Sequence, residues 1–182
     1  MTRSVDELTN EHVNPDDGSS SVVDEHDQYL TCRIDDTFYG IDIMRIEEII
    51  EYGHITSVPL APSKIRGVIN LRGDVIPVID LSVRLGKRRQ AVTGKTCNII
   101  VEINNDGGPV RIGLVVDGVD RVVNIPEENV ESTPSFGIDI DSQYVEGMGK
   151  VMGQFVVLLN LDKVLAIDEL SRFGDIRMDS AG

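Results

Sequence analysis

Tryptophan is absent from the 182 residues, and four Phe and four Tyr bring the aromatics to only 4%. A surface that stacks nucleobases on aromatic rings therefore has little to be built from. Cysteine occurs twice, at Cys32 and Cys97, each inside an apolar segment. That placement reads as two core thiols, since a metal site needs further ligands at short spacing. Of three histidines, His12 and His26 lie near the N-terminus, which leaves His54 as the sole histidine base in the part expected to fold. Bases are scarce too: 17 Lys and Arg stand against 31 Asp and Glu, for a net charge of -14. A chain so acidic is repelled by phosphate backbones and anionic lipid. No apolar run approaches the roughly 18 residues of a membrane span. The N-terminus has no hydrophobic block of the kind a secretory signal carries, so a cytoplasmic protein is expected.

The residues that are abundant point to sheet. Val and Ile number 43 against 12 Leu, and β-branched side chains suit a pleated, half-buried surface better than a helix. An apolar content of 41% excludes a disordered chain.

The charge is distributed unevenly. Residues 1–27 carry eight acids and one base, a composition expected of a solvated, disordered leader. Residues 64–95 hold eight bases against Asp74 and Asp80, a local +6. Lys87-Arg88-Arg89, which follows Gly86 and precedes a polar stretch, is expected as a solvated loop.

Turn residues and alternation predict strands over 29–34 and 37–43, 65–71 and 74–79, 96–103, 109–116 and 119–125, and 144–151 and 154–160. Ile43, Ile46, Ile49 and Ile50 recur at helical spacing and predict a short helix ending at Gly53. A final helix is expected over 161–171, with a flexible terminus over 173–182.

The chain also resembles itself. Gly40–Ile50 aligns with Gly113–Val123 at an offset of 73, and Ile65–Leu81 with Val145–Leu161 at an offset of 80, pairing Gly67 with Gly147 and Gly73 with Gly153. The shared order and spacing argue for a duplicated β unit and two similar small barrels.

A search for catalytic chemistry finds no specific constellation. Asp35-Asp36 and Asp139-Ile140-Asp141 sit in turn contexts, and Gly147-Met148-Gly149 lacks the lysine and the strand-to-helix setting of a phosphate loop. Arg72 is different. It sits on the Leu71-Arg72-Gly73 turn between two apolar strands, where a rigid turn can present a guanidinium to a carboxylate.

The passage from Gly67 to Leu81, GVINLRGDVIPVIDL, closely resembles the signature of the chemotaxis coupling protein family, CheW. Supporting segments follow in order: Phe38–Ile43, Ile46–Ile49, Gly113–Val119 and Tyr144–Gly149. The resemblance covers about residues 28–172. It implies a mainly β fold of two SH3-like five-stranded barrels packed side by side, with short helices. It further implies an adaptor without catalysis or cofactor, linking the cytoplasmic tip of transmembrane chemoreceptors to the C-terminal regulatory domain of the histidine kinase CheA, and recruited to the inner face of the membrane through receptor arrays. Partner-binding positions carried over from the family fall at Ile46, Glu48, Gly67, Asn70, Arg72 and Gly73, and farther on at Asn98 and Gly113. The acidic leader, the Asn104–Pro109 loop and Lys87–Arg89 depart from the family pattern. Because the chain ends soon after the last helix, a standalone adaptor is expected. The competing readings are a β-barrel module for nucleic acid or another ligand, and an enzyme with carboxylates on a barrel rim.

Overall fold

A computed structural model describes residues 2, 3, 5, 24–134 and 137–166. Eleven strands form within them: β1 (Thr2–Arg3), β2 (Gln28–Ile34), β3 (Thr37–Asp42), β4 (Ile46–Glu51), β5 (Ile65–Leu71), β6 (Asp74–Asp80), β7 (Cys97–Asn105), β8 (Gly108–Val116), β9 (Gly118–Asn124), β10 (Val145–Val151) and β11 (Gln154–Leu159). The two short helices are α1 (Leu81–Arg84) and α2 (Leu161–Val164). The strands form two sheets. One runs β1-β4-β7-β8-β6-β5 and the other β10-β11-β3-β2-β9, so each has five principal strands and β1 adds a short sixth to the first.

Sequence repeat and structural unit do not coincide. The first repeat spans β2 to β6 and the second β7 to β11, yet β4 leaves its own repeat to pair with β7, while β9 crosses back to pair with β2. Each unit is therefore assembled from both halves of the chain. Isoleucine and valine from the two sheets meet in a shared core that includes Leu30, Ile41, Ile99 and Leu114. Each sheet also curls around a smaller cluster of its own, with Ile69, Ile76 and Val78 in one and Val156 and Leu158 in the other. The duplication reaches side-chain detail: Asp80 caps α1 by accepting from Val83 N–H, and Asn160, 80 residues on, caps α2 by accepting from Lys163 N–H.

One predicted element is corrected. The segment expected as a helix after Ile43 is a short 3-10 turn followed by strand β4. A register shift between Ile46 and Glu48 marks a β-bulge, which inserts one residue and lets positions three apart share a face. Ile46 and Ile49 thus both pack on the shared core, while Ile50 packs on the cluster of the first sheet. The bulge imitates the helical spacing, and the isoleucines themselves favour the strand. Of the predicted 161–171 helix, Leu161–Val164 is helical, and residues from 167 lie outside those described. So do most of residues 1–27, although Thr2–Arg3 pair antiparallel with Ile49 and Ile50 on β4.

Candidate partner-binding site

The turn between β5 and β6 has φ of 52° at Arg72 and 91° at Gly73. Positive φ at both central residues is what a two-residue turn matched to strand twist demands. The Asn70 Oδ1 atom accepts from Gly73 N–H at 3.1 Å and fixes the turn further. From this platform Arg72 reaches β4. Its Nη1 and Nη2 atoms donate to Glu48 Oε1 at 2.7 Å and Oε2 at 2.8 Å, a bidentate pair.

The two partners differ in exposure. The Arg72 side chain is 62% exposed and that of Glu48 only 7%. A buried carboxylate without a counterion is costly, so Glu48 depends on Arg72, whereas Arg72 is open to a partner. The hydrogen bond to Glu48 and then its charge hold the guanidinium pKa above its ordinary value.

Gly67 serves the backbone here. Its φ is +146°, and a Cβ there would lie 2.1 Å from the Thr56 carbonyl oxygen. Glycine lets the 53–64 loop lie on β5, where Thr56 and Val68 exchange two backbone hydrogen bonds of 2.9 Å. Gly147 repeats the arrangement beneath Glu131, which is bridged to Met148.

Ile46, Glu48, Gly67, Asn70, Arg72 and Gly73 therefore lie on β4, β5 and the turn that β4 meets. Asn98 and Gly113 are elsewhere, both buried on the central strands β7 and β8. Among the described residues the Asn98 side-chain amide has no hydrogen-bond partner. Gly113 meets Val78 across the parallel β6–β8 pair, where an added Cβ would stand 3.3 Å from Val78 Cγ2.

Sequence reasoning missed three charged residues beside the pair. Arg111 on β8 donates from Nη1 to Glu47 Oε1 at 3.3 Å and from Nη2 to Asp74 Oδ2. Glu47 is the residue displaced by the β4 bulge, and Asp74 follows Gly73. The available signal was a lone base alternating with Val110 and Ile112 on a strand.

Lys87–Arg89 lie in a loop in which Arg88 and Arg89 are exposed, as expected, although parts of the basic band are also tied to the fold. Arg66 Nε and Arg89 Nε donate to the same oxygen of buried Asp80 at 2.7 and 3.0 Å, and Arg89 Nη2 also donates to Ser63 O. Lys87 lies 4.0 Å from Asp139, and Arg88 O accepts from Ser82. Arg84 Nε donates to Val164 O and its guanidinium stands 5.1 Å from the centre of the Tyr144 ring. Arg66, Arg84 and Arg89 are thus bound to groups of the fold, although Asp80 already counts within the local +6 and the carbonyl contacts neutralise none of it. The acid pairs act as turn residues: Asp35 has φ of 55° and Asp141 Oδ1 accepts from Gln143 N–H. His54 is exposed on the 53–64 loop.

Two interlocked SH3-like units carrying an ion-paired arginine on a rigid surface turn define a β scaffold of the kind that works by presenting surfaces. Comparison with known proteins is specific on the point. The CheW-like domain family model matches residues 28–169. The chain is 31% identical over 144 residues to chemotaxis protein CheW of Klebsiella aerogenes, covering 79% of this chain and 84% of that one. It is 33% identical over 141 residues to chemotaxis protein CheW of Thermotoga maritima, covering 76% and 87%. The crystal structure of the scaffolding protein TtCheW from Thermoanaerobacter tengcongensis superposes with a TM-score of 0.67 at 32% identity, over 83% of this chain and 91% of that one. The chain belongs to the CheW-like family of chemotaxis scaffold proteins. Among the described residues, no helix is long and apolar enough to cross a membrane.

Proposed function

We propose that this protein is a non-catalytic adaptor that couples transmembrane chemoreceptors to the histidine kinase CheA, placing kinase activity under receptor control. It works in the cytoplasm and is held at the inner face of the membrane by the receptors. The kinase contributes its C-terminal regulatory domain and the receptor its cytoplasmic tip. Ile46, Glu48, Gly67, Asn70, Arg72 and Gly73 form the docking surface, and Asn98 and Gly113 support it from the interior of the sheet. The observation that carries this reading is the Glu48–Arg72 pair: a buried carboxylate fixes an exposed guanidinium on a turn with little freedom. A preorganised charge beside apolar β4 gives an interface register at small entropic cost.

Titration calorimetry of the purified chain with the kinase regulatory domain, and separately with a receptor cytoplasmic fragment, tests the proposal. Saturable binding of both is expected. Absence of binding to either one overturns the coupling role.

A further inference from the structure

Three acids and two bases meet where β4 approaches the β5–β6 turn. Glu47 and Glu48 come from β4, Arg72 from the turn, Asp74 from the start of β6, and Arg111 from β8. Arg72 takes Glu48, and Arg111 takes Glu47 and Asp74 together. Such a division is not forced by packing on Arg72, whose side chain is 62% exposed. Asp74 stands two residues from Arg72 in sequence, and Glu47 adjoins Glu48. Either could draw the guanidinium away from Glu48. The Arg111 side chain is only 26% exposed, and its neighbours Val110 and Ile112 pack on the shared core, so its place is anchored by the sheet.

We infer that Arg111 is a positioning residue for the docking surface: by occupying Glu47 and Asp74 it leaves Glu48 as the one acid that takes the Arg72 guanidinium. The inference rests on the proposed coupling role for its consequence, but its mechanism is internal to the chain. The planar guanidinium has donors for two carboxylates at once, which a lysine ammonium cannot match in geometry. Without Arg111, three acids compete for one flexible arginine, and the turn presents its charge in several orientations.

The Nε and Nη resonances of Arg72 in the labelled, unliganded protein report its orientation directly. In the native chain we expect slow guanidinium rotation and distinct Nη signals, as a bidentate pair imposes. Arg111→Gln is expected to average those signals and to weaken binding of the kinase regulatory domain by roughly tenfold, the scale of one interfacial contact, with little change in Tm. Adding Asp74→Asn to that variant removes one competing acid and is expected to restore much of both signals and affinity. Arg111→Lys is expected to fall between. Unchanged Arg72 signals in Arg111→Gln overturn the inference. So does a parallel fall in Tm and affinity that Asp74→Asn does not relieve, because that pattern describes a merely structural arginine. If the native chain fails to bind the kinase domain, the coupling role fails, while the resonances of Arg72 still decide the role of Arg111.

Discussion

Single residues divide into those that shape the backbone and those that present chemistry, and the glycines show how. Gly67→Ala would force a Cβ against the Thr56 carbonyl in a conformation that side chains rarely adopt, so a loss of at least ~2 kcal/mol is expected in chemical denaturation. Gly73→Ala meets nothing within 4 Å and carries only the strain of its φ, which is about 1 kcal/mol. Equal losses would contradict the close approach at Gly67. The motif made both glycines visible in the sequence, but the difference between them depends on a loop 11 residues away from Gly67. The thiols give a second test at this scale. Burial pushes Cys97 from an ordinary 9.0 up to about 11, and Cys32 is pushed higher still, again mainly by burial. A thiol held protonated in the folded state costs stability once the unfolded thiol ionises. Stability should therefore be intact below pH 9.0 and fall as pH rises toward about 11, by up to about 1.4 kcal/mol per pH unit for each thiol. Cys97→Ala should flatten that decline in equilibrium denaturation series, and an unchanged slope would place the titration elsewhere.

Among the elements, those whose period is undisturbed were legible. β5, β6 and the hairpins β7–β8 and β10–β11 fall within a residue or two of the alternation and turn signals. β4 was not legible, because its bulge spaces Ile46 and Ile49 as a helix would. Nor was the exchange of β4 and β9 between the repeats, since pairing across 46 or more residues leaves no local mark on either strand. The turn at Arg72 and Gly73 was readable, whereas Glu47, Asp74 and Arg111 acquire their relation only when β4, β6 and β8 come together. The strand exchange predicts the behaviour of fragments. Residues 1–92 contain β4 but not β7, on which it pairs, and residues 93–182 contain β9 but not β2. Neither fragment should give the dispersed amide spectrum of a folded protein, and mixing the two should restore it. An independently folded fragment would show that exchange is dispensable.

For the whole molecule, the net charge of -14 takes on a different meaning once the ion pairs are placed. Within the basic band, Arg66 and Arg89 are held by buried Asp80 and Arg84 by a helix-terminal carbonyl. On the family motif the exposed cation is Arg72, paired with a buried acid. Rigid interlocked sheets carry that charge with little conformational freedom to lose on docking, which suits a scaffold that transmits geometry. The most direct measurement is an amide chemical-shift map of the labelled chain titrated with the kinase regulatory domain. The account predicts that the largest shifts centre on β4, Gly67 and the Asn70–Gly73 turn. Shifts confined to surfaces remote from that turn, with Arg72 and Glu48 unmoved at saturation, would contradict it.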